Sequence, residues 1–154
     1  MQYDKIAGAP ISWGVCEVPG WGHQMGPERV LREMAELGLK ATEFGPLGFL
    51  PVEATARAKV LNDLDMHATG GFFPVLLHDE THDPLPVVAE ELKSYTASGA
   101  TTLVLAADSG KAGYDEKRSE LTPDQWQTVF KNLNAISALA DSVGVKAVLH
   151  PHVG

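Results

Sequence analysis

Residues 122–150 read TPDQWQTVFKNLNAISALADSVGVKAVLH, and two periods follow one another in that stretch. Trp126, Val129, Phe130, Leu133, Ile136, Ala140 and Val143 recur at steps of three and four, the spacing of one face of a helix about five turns long. Thr122 with Gln125 three residues on makes a Thr-x-x-Gln capping box, and Pro123 suits the first helical position, where its missing N–H would have no partner anyway. Gly144 stops the helix, and residues 145–150 continue as a short aliphatic run that reads as a strand. Helix, glycine and strand form the unit from which the rest of the chain becomes legible.

The same grammar repeats toward the amino terminus. Pro27 opens a segment carrying Val30, Leu31, Met34 and Leu37 before Gly38; Pro51 opens one with Val60, Leu61 and Leu64; a third begins at Asp83-Pro84 and runs through Val88, Leu92 and Tyr95 to Gly99. Short apolar runs at 5–13, 41–44, 66–73 and 101–107 complete five strands alternating with four helices. Strands separated by helices are parallel, with right-handed crossovers and helices covering the sheet. Two α/β architectures fit. The strands start near 5, 41, 66, 101 and 145, about 35 residues apart, close to the roughly 31 residues of a (β/α)8 TIM-barrel unit. A five-stranded flavodoxin-like parallel sheet has the right length but finishes with a helix after its last strand, and here only four residues follow His150. Parallel strands are normally buried on both faces, so the expectation is one domain over residues 1–154, the amino-terminal portion of a TIM barrel truncated after strand five.

Composition narrows the function. With 20 acidic against 12 basic side chains the net charge is −8, which disfavours a nucleic-acid binder, since such proteins draw affinity from clustered Lys and Arg. The most apolar stretch, 72–77, contains Pro74 and is far short of the roughly 20 residues that span a bilayer. The opening Met1-Gln2-Tyr3-Asp4-Lys5 has neither signal-peptide nor lipidation character, so the expected location is the cytoplasm. One cysteine, Cys16, excludes an intramolecular disulfide and a cysteine-rich zinc site.

Ligands of parallel α/β folds gather at the carboxyl ends of the strands, which makes those ends the candidates for chemistry. Trp13 and Trp21 lie in a Gly-rich loop after the first strand; either stacks on a sugar or polyol ring, or fills the core and anchors the loop. Cys16 reads as a filler, because no base is paired with it. Glu43, between the second strand and Gly45-Pro46, faces a site or a structural partner; in a site it binds hydroxyls or transfers a proton if burial raises its pKa. Gly70-Gly71 admits a close approach, by a ligand or by Trp13. His78 and His82 have helical metal-ligand spacing, but Asp79 replaces the glutamate of the H-E-x-x-H motif and Pro84 and Pro86 favour a loop. Residues 105–112 lack the first glycine and the hydroxyl of a phosphate loop. His150 and His152 share one face of the fifth strand at its exit, where imidazoles ligate a divalent metal, move a proton or bind a substrate oxygen; two are too few for a catalytic metal, which takes about three protein ligands.

Ala9-Pro10-Ile11-Ser12-Trp13, the run from Thr42-Glu43-Phe44-Gly45-Pro46 through Gly48-Phe49-Leu50-Pro51, and His150-Pro151-His152-Val153-Gly154 together resemble the inosose dehydratase group of the xylose isomerase-like (sugar isomerase/epimerase, AP endonuclease 2) TIM barrels. The resemblance spans the whole chain and matches the amino-terminal half of that family. It implies a divalent-metal enzyme of inositol catabolism, using Mn²⁺ or Co²⁺, that eliminates water from 2-keto-myo-inositol. A sugar isomerase or epimerase of the same superfamily is the alternative, and a non-catalytic half-barrel that binds a polyol or only dimerises is a second. The resemblance makes Glu43 and His152 catalytic, Trp13, Trp21, Glu43 and His152 substrate-binding, and His150 a metal ligand. It also implies that most metal ligands come from strands six to eight. The implied partner is a small sugar or polyol, with no nucleic acid and no membrane; open strand edges leave room for a homo-oligomer.

Overall fold

The computed structural model describes residues 5–16, 18, 20–111 and 120–151. A 3₁₀ turn at Pro10–Trp13 precedes α1 (Pro27–Glu36), β1 (Ala41–Glu43), α2 (Ala54–Asn62), β2 (His67–Val75), α3 (Leu85–Ser98), β3 (Thr102–Ala107), α4 (Pro123–Ser142) and β4 (Lys146–His150). The strands lie in one sheet in chain order, with β1 parallel to β2 and β3 parallel to β4. Four parallel strands alternating with four helices are part of a TIM barrel.

The segment expected as the first strand contributes only one bridge, Gly8 to Thr42. The Gly8 N–H donates to Ala41 O at 2.8 Å and the Glu43 N–H to Gly8 O at 2.9 Å. Two residues on, Pro10 has no N–H for a ladder, and the chain coils instead, with Ser12 N–H bonding Ala9 O and Gly14 N–H bonding Ile11 O.

The chain divides into two compact units: one from Met1–Phe72 with Lys93–Thr101, the other from Phe73–Leu92 with Thr102–Gly154. In the first, Val30, Leu31 and Met34 of α1 are fully buried, the i, i+1, i+4 stripe that its sequence spells. Ala58 and Leu61 of α2, Met66, Ala68 and Tyr95 join this core. Helix α2 starts three residues after Pro51 because Glu53 caps it, its carboxylate accepting from the Thr55 and Ala56 N–H groups at 3.0 and 2.7 Å.

In the second unit, Leu103, Leu105 and Ala106 of β3 are buried with Val129, Ile136 and Ala140 of α4. The capping box forms as read: Gln125 N–H bonds Thr122 Oγ1 and Thr122 N–H bonds Gln125 Oε1. The apolar stripe of α4 divides, however. Trp126 and Phe130 stay exposed and stack on each other with ring centroids 5.9 Å apart. Asn132 of α4 donates to Leu77 O at 2.9 Å, which satisfies a carbonyl in the loop after β2.

Candidate functional site

At the exit of β1, pairing with β2 runs Ala41 to His67 and Thr42 to Ala68, then skips a residue so that Glu43 faces Gly70. The irregularity turns the strand end. Thr42 is fully buried, Glu43 is exposed, and Phe44 is buried again, its N–H donating to Gly70 O at 3.0 Å. Although Glu43 as a residue is exposed, partial desolvation of its carboxyl pushes its pKa above the ordinary glutamate value. A carboxylate so perturbed is a better proton acceptor than one in open water.

Behind Glu43 the packing is specific. Phe44 meets Tyr95 edge to face, centroids 5.1 Å apart, and the Tyr95 hydroxyl donates to Gly71 O at 3.0 Å. A Cβ on Gly71 would stand 3.0 Å from the Phe44 ring and 3.4 Å from the Tyr95 oxygen. The close approach that this glycine permits is therefore made by Phe44 and Tyr95. Arg57, only 5% exposed, places its guanidinium carbon 4.9 Å from the Phe44 ring centroid and donates from Nε to Pro51 O at 2.9 Å. The sequence reading passed over Arg57; its signal is an arginine among the buried positions of α2, four residues before Leu61.

Trp13 follows the Gly8 bridge, half-buried, with its indole N–H donating to Glu33 Oε2 at 2.9 Å. The Arg29 guanidinium first, and then that bond, hold the Glu33 pKa below its ordinary value. The indole N–H is thus committed to α1, and what Trp13 can offer a ligand is its ring. Trp21 is 51% exposed on a loop folded back on itself. Gly14 O accepts from the His23 and Gln24 N–H groups, and the Gln24 amide donates to Cys16 O and Trp21 O at 3.0 Å each. Gly22 makes this possible, since a Cβ there would fall 2.0 Å from Gly14 O. Cys16 is half-buried in the same loop, its Sγ 3.7 Å from Val18 O, as a filler would be. Beside it a groove of about 510 Å³ runs between Val15, Cys16, Gln24 and Met25 on one side and Pro46, Leu47 and Phe49 on the other.

In the second unit, β4 ends at His150, which pairs in register with Ala106 and is exposed. His152, read as catalytic and substrate-binding, lies outside the described residues. His78 and His82 sit on a loop, where Asp79 accepts from the Thr81 N–H and hydroxyl and from neither histidine; those bonds hold the Asp79 pKa low. Asp108 accepts from the Gly110 N–H at 2.8 Å, an ordinary turn. Among the described residues no group of three or more His, Cys, Asp or Glu is placed to hold a metal ion, and the resemblance itself draws most of its metal ligands from strands six to eight.

No family model matches the chain. The fold is that of part of a TIM barrel, and the solved structures it resembles are xylose isomerase-like. The structure of L-ribulose 3-epimerase superposes with a TM-score of 0.63 at 15% identity, over 95% of this chain and 49% of that one. A xylose isomerase-like TIM barrel protein from Mycobacterium smegmatis in complex with magnesium gives 0.60 at 15%, over 94% and 54%. Sequence similarity is more particular and runs to inosose dehydratases. That of Geobacillus kaustophilus is 30% identical over 97% of this chain and 51% of the relative, and that of Clostridium perfringens 24% over 97% and 52%. The rhizopine catabolism protein MocC of Rhizobium meliloti is 27% identical over 97% and 47%. The chain spans about half the length of the curated relatives it matches. No described helix is long and apolar enough to cross a membrane.

Proposed function

We propose that this chain is the amino-terminal part of a sugar- or polyol-transforming TIM-barrel enzyme of the inosose dehydratase kind, acting in the cytoplasm on a cyclic keto-polyol, with Glu43 as its proton-transfer group. The observation that carries the reading is the Glu43 carboxyl at the exit of a parallel strand, with its pKa raised by desolvation and its neighbours locked in place. Similarity to inosose dehydratases over 97% of the chain supports the substrate class.

The chemistry asked of Glu43 is short. Its ionised carboxylate takes the proton from the carbon next to the ketone, the C–H pair becomes the carbon–carbon π bond, and the hydroxyl on the following carbon departs with its C–O pair and the proton that Glu43 has taken, as water. Desolvation favours the step, because a carboxylate freed from part of its hydration gains more on accepting a proton. The rings of Trp13 and Trp21 are the surfaces proposed for the apolar face of the polyol, and His150 and His152 the imidazoles proposed at the β4 exit, His150 as metal ligand. No step is routed through the Mn²⁺ or Co²⁺ of the resemblance, since the described residues do not assemble its ligands.

The test is to offer 2-keto-myo-inositol in D₂O with divalent metal present and follow both deuterium entry next to the ketone and loss of water. In the full-length protein to which this chain contributes its amino-terminal part, wild type is expected to do both, and Glu43→Gln to lose both by a factor of about a hundred or more. Deuterium entry without water loss would favour the isomerase or epimerase alternative; full activity in Glu43→Gln would remove Glu43 from the chemistry. Binding of the polyol with neither reaction would favour the non-catalytic half-barrel.

A further inference from the structure

We propose that Arg57 is the positioning residue for Glu43: stacked on Phe44 and bonded to the Pro51 carbonyl, it ties together both ends of the loop leaving β1 and so fixes where the Glu43 carboxylate stands. The inference rests on the reading of Glu43 as the proton-transfer group. Nothing in the similarity to known relatives assigns a role to this arginine.

Charged side chains are rarely this buried, and one that is must have partners that repay its lost hydration. Arg57 is 5% exposed, and two of its partners belong to one loop. Phe44 directly follows Glu43 and Pro51 closes the loop seven residues later, the guanidinium lying 4.9 Å from the first ring and 2.9 Å from the second carbonyl. Only a planar, always-charged guanidinium can present a flat face to a ring while donating a directed N–H elsewhere; a lysine ammonium is a point charge without that face. The far edge of the clamp is set independently, since Phe44 packs on Tyr95, whose hydroxyl is bonded to Gly71 O. Within the loop, Phe49 N–H bonds Pro46 O at 3.0 Å. The arrangement leaves Glu43 one residue from an anchored ring, with little freedom for its backbone to swing the carboxyl into bulk water.

The test needs no turnover. Carbon-detected NMR follows titration of the Glu43 carboxyl, and amide exchange follows the Phe44 and Phe49 N–H groups, in wild type, Arg57→Lys and Arg57→Met, with Arg29→Met as a surface control. Folding is checked by unchanged amide protection in α1, which belongs to the same unit. In folded Arg57→Met the Glu43 midpoint is expected to fall toward the ordinary glutamate value and Phe49 exchange to accelerate about tenfold or more. Arg57→Lys should lie between, and Arg29→Met should match wild type. A folded Arg57→Met with wild-type midpoint and exchange would overturn the proposal. Should Arg57→Met not fold, Phe44→Leu decides: it keeps the bond to Pro51 and removes the ring, so a midpoint shifted the same way supports the clamp and an unshifted one overturns it. These outcomes stay separate from those for Glu43 itself. Full activity in Glu43→Gln would defeat its catalytic role and leave the clamp measurements standing, while an unmoved midpoint defeats the clamp alone.

Discussion

The exits of β1 and β4 carry the two kinds of group on which the proposed function turns, a carboxylate and an imidazole, and they are built differently. At the β1 exit, Glu43 stands next to a buried ring held by Tyr95 on one side and Arg57 on another. At the β4 exit, His150 is exposed and the residue before it, Leu149, is 53% exposed. The contrast continues along the second unit, where β3 buries Leu103, Leu105 and Ala106 while its hydrogen-bonded neighbour β4, last in the sheet order, buries none of its residues. Both strands carry an aliphatic run in sequence, Leu103-Val104-Leu105-Ala106 in one and Ala147-Val148-Leu149 in the other. Aliphatic runs make both strands, and of the two exits only that of β1 has rings and a guanidinium packed behind it among the described residues.

The largest test of this contrast is truncation on either side. Tyr95→Ala should cost about 3–5 kcal/mol in urea unfolding, because it removes a fully buried ring and leaves Gly71 O without its donor, whereas Leu149→Ala should stay within about 0.5 kcal/mol. Equal effects would break the comparison. Gly71→Ala sharpens it: the added methyl presses on Phe44 and should destabilise by about 1–3 kcal/mol. Trp13→Phe removes the N–H that reaches Glu33, and the Glu33 pKa should rise as one of its donors is lost, which a carboxyl titration by NMR checks.

The smallest effect has a sign fixed by linkage. Because burial raises the folded-state pKa of Glu43, the folded protein binds its proton more tightly than the unfolded chain, and its ionised form is a stability cost once the pH passes the folded pKa. Glu43→Gln should therefore be slightly more stable than wild type at pH 7, and the advantage should vanish as the pH falls below about 4.3, where the unfolded carboxyl is also protonated. Urea midpoints at four or five pH values would show it; a Gln variant less stable than wild type at pH 7 would contradict it.

Much of this was legible in the sequence because it is written locally. Thr122, Pro123 and Gln125 specify a helix start within four residues, and the α4 cap forms as they spell it. Gly38, Gly99 and Gly144 punctuate helices as read, and strands β1 to β4 fall within two residues of the expected runs. Two local readings failed for identifiable reasons. Residues 5–13 look like a strand by apolar content, but Pro10 cannot continue a ladder, and α2 begins at Ala54 because the Glu53 side chain outcompetes Pro51 as the helix start. The site was legible only as residue types at strand ends. That Trp13 spends its N–H on Glu33, that the Gly71 opening is filled by Tyr95, and that a buried Arg57 stands behind Phe44 are contacts between residues 13 to 24 positions apart, which no local pattern encodes.

The central claim is that the β1 exit holds Glu43 partly desolvated for proton transfer. It is tested most directly by titrating the Glu43 carboxyl of the wild-type chain by NMR, assigned through Glu43→Gln. The account predicts a midpoint above the ordinary glutamate value of about 4.3. A midpoint at or below that value would mean an ordinary, solvated glutamate and would contradict it.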